Sequence, residues 1–338
     1  MNPPQTDAIE SATPKTLSHR VKDVFSGQSI WITLIFIGLI VLFSALAGTS
    51  FASVGNARNI LASVAILLVI SLGQMLIILT AGIDLSTGGV LVFSGVATAL
   101  TINALGGGWG AIVAGLVVGV LAGTAWGVVN GALVALAGLP PIIATLGTLG
   151  MSMGLALVLT EGIDMRAPLE LVEGLGSADL FGVIPWIAVI AFAIALVVAL
   201  VLSQTIFGRH TYAVGASSAA AERAGINVPR HLIKVYAIAG LLAGIAGFLA
   251  FSRFGTTTIS GHAEDSLKAI TAVVLGGTSL FGGSGTVRGV VIGAFIPVIL
   301  LNGFVITGVQ AFWQQFAIGL VLVIAVFIDR RRHAAARF

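Results

Sequence analysis

An all-α, polytopic membrane fold of about ten transmembrane helices is what this sequence predicts, and three observations carry the prediction. Of 338 residues, 57% are apolar and 9% charged, against roughly 45–50% and about 25% in a soluble domain. Apolar stretches long enough to cross a hydrocarbon core recur from residue 30 to residue 328, each bounded by polar residues, Gly or Pro. The 44 glycines are nearly twice the usual share of roughly 7%, and small residues let membrane helices approach closely.

In chain order, residues 1–28 are polar, with Pro3, Pro4, Lys15, Arg20 and Lys22, and read as an N-terminal tail. The first apolar run, Ile30 to Ala47, is followed by no cleavage-type site and reads as a retained anchor. Further spans are expected near 59–80, 88–105, 110–136, 141–160, 184–203, 233–252, 266–281, 287–306 and 312–328. The membrane domain thus occupies 29–329, and 330–338 form a basic tail. With the N-terminus inside, twelve of the sixteen Lys and Arg residues fall on the cytoplasmic side, as the positive-inside rule requires. The outer segments hold only Arg58, Arg166, Arg253 and Lys268, and the loop from Glu161 to Asp179 is acidic. Both termini are expected in the cytoplasm. Eight spans also fit if two Gly-broken segments are re-entrant.

Two such segments stand in corresponding halves: Leu79 to Gly89, and Leu275 to Gly285 with Gly276 and Gly277. Paired Gly-interrupted stretches of this kind mark either broken helices beside a translocation path or tight turns. Between Ser203 and Lys234, the run Ser217 to Gly225 reads as a short helix. Ser217 or Ser218 caps it, the alanines around Ala221 propagate it past Glu222 and Arg223, and Gly225 ends it. So short a helix needs a partner surface.

Chemistry is sparse. There is no cysteine and no phosphate-binding loop of the G-x-x-x-x-G-K-[ST] type, and no catalytic residue, cofactor or metal site is assigned. The basicity follows membrane topology and not a nucleic-acid-binding face. Asp84, in Ile83-Asp-Leu-Ser86, is either an N-cap or a substrate or ion ligand. Gln74, Asn130, Thr145, Thr148, Ser152 and Asn302 are polar within apolar sequence, and Trp126 shares a helix face with Asn130. Ring and amide together suit a sugar; hydrogen bonds between packed helices are the alternative. Trp31, Trp109, Trp186 and Trp313 fall at span ends, where interfacial anchoring is expected.

Four stretches carry a resemblance: Thr80 to Gly88 with its Gly-Ile-Asp-Leu-Ser core; Asn130-Gly131 with Pro140 to Thr148; Tyr212 to Gly215 with Ala220 to Ile226; and Ala272 to Gly283 with Phe312 to Gln315. In this order the chain resembles the permease subunits of bacterial ATP-binding-cassette (ABC) importers for simple sugars, from about Trp31 to Phe327. That resemblance implies a homodimeric permease in the bacterial inner membrane, two cytoplasmic ATPase subunits, and a periplasmic or lipid-anchored sugar-binding protein. It makes 204–233 the coupling loop, with Ser218, Ala221, Glu222, Arg223 and Gly225 at the ATPase. The residues singled out above, Gln74, Asp84, Trp126, Asn130, Thr145, Thr148, Gly276, Gly277 and Asn302, are the candidates along such a path. Thr87-Gly88-Gly89 departs from the usual family pattern, which leaves branched-chain amino acids or nucleosides as alternative substrates. A secondary carrier driven by ions is the alternative outside the class.

Overall fold

The computed structural model describes residues 27–335 apart from Ala263, so Lys15, Arg20, Lys22 and Arg337 lie outside the described residues. Among the described residues, twelve α-helices of six or more residues follow in order: α1 Gly27–Ala47, α2 Val54–Leu79, α3 Thr87–Ala104, α4 Gly108–Ala135, α5 Pro141–Thr160, α6 Trp186–Gln204, α7 Ile206–Ala216, α8 Ser218–Arg223, α9 Val228–Phe254, α10 Asp265–Leu275, α11 Val287–Ile306 and α12 Ala311–Ala335. Each expected span overlaps a helix, although 266–281 is helical only to Leu275 and then enters the second glycine break, and among the described residues eight helices are long and apolar enough to cross a membrane. The short ones are α10, about 16 Å at 1.5 Å per residue, and α12, whose apolar part is Phe312–Phe327.

α2 is the centre. Apolar side chains lie on all sides of its inner part, and 18 of its 26 residues are buried, as an all-round hydrophobic stretch requires. α6, α9, α10 and α11 surround it. α1 is peripheral, touching α11 through Phe36 on Phe295 and Phe43 on Phe304.

The closest helix pairing is made by glycine. Gly115, Gly119, Gly123, Gly127 and Gly131 recur every fourth residue and form one face of α4. Gly123 and Gly127 lie against Gly240, Gly244 and the Tyr236 backbone of α9, while Gly115 and Gly119 meet Ser94, Thr98 and Ile102 of α3. A Cβ at Gly131 would stand 2.7 Å from Ile233 Cα, so backbone touches backbone here, as small-residue repeats permit in membranes.

The 204–233 segment differs from expectation. Beside the predicted short helix it contains α7, started by Thr205, whose side chain accepts from Gly208 N. The short helix is α8. Ser217 Oγ accepts from Ala220 N, and Gly225 takes φ +85° as the stop. Asn227 and Pro229 do not merely end α8: Asn227 Oδ1 accepts from Arg230 N and caps α9, with Pro229 in its first turn. Ala221 tucks against Val214 and Val228, while Ser218, Glu222 and Arg223 stay exposed. α8 is therefore a knob held by one buried methyl.

Candidate functional site

The two glycine-rich breaks meet. Residues 80–86 interrupt the chain between α2 and α3, and residues 276–286 between α10 and α11. Gly283 N donates to Leu79 O (3.0 Å), which joins the breaks directly. The end of α7 presses into this junction: a Cβ on Gly215 would overlap Leu79 O and lie 2.6 Å from Gly283 N. Tyr212 of α7 donates its hydroxyl to Gly285 O (3.0 Å). Positive φ at Gly277, Gly282 and Gly283 is the conformation that makes glycine necessary in the second break. Gly276 serves differently, by close approach, since a Cβ there would lie 2.6 Å from Gly289 C.

From this junction the first break climbs into a polar network. With its amide oriented so that both ends pair, Gln74 brackets Asp84, donating to the Asp84 carbonyl (3.0 Å) and accepting from the Asp84 N–H (3.2 Å). Asp84 Oδ1 accepts from both the backbone N–H (2.7 Å) and the hydroxyl (2.6 Å) of Ser86. Asn130 donates to Ser86 Oγ (2.8 Å) and accepts from Thr148 Oγ1 (2.6 Å). Thr145 Oγ1 accepts from Leu85 N (3.1 Å). Thus Gln74, Asp84, Asn130, Thr145 and Thr148 come together from four parts of the chain, and all are buried. Asp84 stands between the spans, and burial pushes its carboxyl above the ordinary carboxylate range while the Ser86 bonds pull it back.

The N-cap assignment of Asp84 needs correction. Helix α3 begins at Thr87 with Ser86 as its flanking residue, and Asp84 closes a local turn onto the Ser86 N–H, one step before the helix. Trp126 stands one turn from Asn130 but places its ring edge-on to Phe93, centroids 5.9 Å apart. Ser152 donates to Leu149 O of its own helix. Asn302 lies away from the network, in a reciprocal amide pair with Asn56 (3.0 and 2.8 Å) that ties α11 to the start of α2.

Two members of the site were invisible as single residues. Ser266, at the start of α10, donates to Leu85 O (2.8 Å) and accepts from Gly88 N (2.8 Å), clasping the far end of the first break. Tyr236 is buried with a hydroxyl that has no hydrogen-bond partner among the described residues, and a Cβ on Gly82 would lie 3.0 Å from that oxygen. The hydroxyl therefore faces the first break. Among the described residues no group of three or more His, Cys, Asp or Glu side chains could hold a metal.

The profile of the family described as "Branched-chain amino acid transport system / permease component" matches residues 56–326, a range that holds both breaks and the α7–α8 segment. The chain belongs to this permease family. It is similar to the ribose import permease protein of Bacillus subtilis (37% identical over 309 residues, 88% of this chain and 92% of the relative). The fructose import permease protein of Rhizobium meliloti is 34% identical over 329 residues, 94% of this chain and 90% of the relative. The D-allose transport system permease protein of Escherichia coli is 33% identical over 292 residues, 86% of this chain and 88% of the relative. No solved structure matches. This permease is accordingly a multi-pass membrane subunit of an ABC importer, and the breaks, the polar network and the exposed α8 knob belong to a transport protein.

Proposed function

We propose that this permease forms the path for a monosaccharide in an ATP-driven importer, with membrane domain 29–329, tails 1–28 and 330–338, and both termini in the cytoplasm. The observation that carries the reading is the junction where both glycine breaks meet α7, one residue before the exposed α8 knob. A push on α8 reaches both halves of the bundle through Gly215. In this reading 204–233 is the coupling loop. Ser218, Glu222 and Arg223 face the groove of a cytoplasmic ATPase subunit, Ala221 holds the knob down, and Gly225 turns the chain back. Arg209, Arg223, Arg230, Lys234 and Arg288 all lie toward this end of the bundle, which supports its cytoplasmic placement.

A monosaccharide is favoured over a branched-chain amino acid because the relatives above are named for ribose, fructose and allose. In this reading Gln74, Asp84, Asn130, Thr145 and Thr148 fix the first break beside the path, Gly276 and Gly277 shape the second, and Trp126 and Asn302 flank the path away from both breaks. A second copy packs on α5, where Gly147, Gly150 and Gly154 face open space with no heavy atom within 4 Å of a built Cβ. A periplasmic or lipid-anchored binding protein delivers the sugar. ATP is hydrolysed by the ATPase partner alone.

Reconstitution tests this. The permease alone in liposomes should show neither ATP hydrolysis nor sugar uptake. Adding the ATPase and the binding protein should restore both. Uptake by the permease alone, driven by an ion gradient, would replace the importer with a secondary carrier.

A further inference from the structure

At the end of the bundle opposite the glycine junction, a cavity of about 330 Å³ opens between α2, α9, α10 and α11. Its floor is aliphatic, with Leu67 and Val298, and its walls carry Asn59, Ser63, Arg253, His262, Asp265 and Lys268. The volume is within the roughly 300–1,000 Å³ of small-molecule sites.

The charges are unevenly matched. Asp265 is buried and accepts from both His262 Nδ1 (2.7 Å) and Lys268 Nζ (2.8 Å). Arg253 has no carboxylate partner among the described residues. Its two hydrogen bonds go to neutral acceptors, Ser63 Oγ (2.8 Å) and Asn59 O (3.3 Å), and both are made through the same nitrogen, Nη2. A guanidinium has five N–H donors, so Nε and the other terminal nitrogen retain three. The Phe254 ring lies 5.2 Å from the guanidinium carbon and holds the group in place. A planar cation with a free donor edge is suited to bidentate capture of a carboxylate or phosphate. The neighbouring Asn59 side chain is suited to a hydroxyl, while both ring nitrogens of His262 are already bonded, to Asp265 and Thr258.

We infer that this cavity binds an oxyanion, carboxylate or phosphate, on a hydroxylated carrier, with Arg253 as the anchor. Two sources supply that chemistry: a free sugar acid, or the headgroup of an anionic glycerolipid whose chains follow the aliphatic floor. The site is separate from the Asp84 carboxylate, although Asn302, read above as flanking the path, also lines it.

Purified permease is placed in phosphatidylcholine nanodiscs and titrated with glucuronate, or reconstituted with and without phosphatidylglycerol and examined by native mass spectrometry; ribose is the neutral comparison. The expected result is saturable binding of one oxyanion probe, and the responsive probe identifies the source. Arg253→Gln should weaken it about tenfold, roughly 1.4 kcal/mol. Arg253→Lys, which keeps the charge without the fork, should weaken it less and serves as the deciding variant if the glutamine protein does not fold. Arg58→Gln, at an ion pair with Asp179 outside the cavity, should leave it unchanged. Absence of saturable binding by either probe, tighter binding of ribose, or equal binding by wild type and both Arg253 variants would overturn the inference. The assay reads binding and not transport, so such a failure leaves the importer reading standing.

Discussion

Replacing Gly127 by Ala tests the α4–α9 contact most directly. A Cβ at this position would sit on the Tyr236 carbonyl oxygen, 2.9 Å from the carbonyl carbon and 3.0 Å from Ala237 Cα. Relaxed carbon–carbon contacts stand at about 3.5–4.0 Å, so the helices must separate by roughly 1 Å. No flexible side chain can yield, because everything the methyl meets is backbone. Overpacking of this kind costs about 1–3 kcal/mol, although alanine is the better helix former by about 0.5–1 kcal/mol. The control is Gly319→Ala in α12, where a Cβ meets nothing within 4 Å, so only the helix-forming gain remains. Thermal unfolding of the detergent-solubilised permease, followed by tryptophan fluorescence, should show Gly127→Ala below wild type and Gly319→Ala at or above it. A Gly127→Ala protein as stable as wild type would refute the backbone-on-backbone packing.

Three other outcomes are expected. Gly225→Val should lower recovery of the ATPase complex more than Glu222→Gln, with membrane insertion intact in both, since φ +85° at Gly225 strains a β-branched residue while Glu222 is exposed; wild-type recovery in both would remove α8 from the coupling contact. Tyr236→Phe should melt at or above wild type, because its buried hydroxyl lacks a partner among the described residues and removing an unpaired buried polar atom relieves its desolvation cost; a loss of stability would show that the hydroxyl is bound. For Asp265, burial pushes the carboxyl up, but the bonds and charges of His262 and Lys268 outweigh it and hold the carboxyl below the usual range. Its stabilisation is therefore complete above the unfolded carboxylate range and is lost as pH falls through the lower folded value, a dependence that Asp265→Asn should flatten in a melting series.

Much of the architecture was legible because the signal is local. Ten apolar runs each overlap a helix, and the run from Ser217 to Gly225 located α8 to within two residues at each end, since capping and left-handed stops depend only on neighbours in the chain. α7 was missed for a physical reason: eleven residues containing Arg209, His210 and two glycines carry no continuous apolar run, and the helix stands by packing against α6 and α2. The fourfold glycine repeat of α4 was in plain view but counted only as composition. At the site, the polar residues of the first break were identifiable as types out of place in apolar sequence. Their sorting was not, because Asn130 and Asn302 look alike until tertiary structure gives one to Ser86 and the other to Asn56. Arg253 read as an outer-loop charge, and only the arrangement of four helices shows that it lacks an acid.

The hydrogen bond between Gly283 and Leu79 sits at one extremity of α2, a rod of about 39 Å at 1.5 Å per residue. Whatever turns at that bond is magnified along the rod: a tilt of about 10° displaces its far end by about 7 Å, while the bonded peptides scarcely shift. If α8 is where the ATPase pushes, as proposed above, the half of the membrane domain farthest from it moves most, while at the bond itself Gly282 and Gly283 leave only backbone to shift.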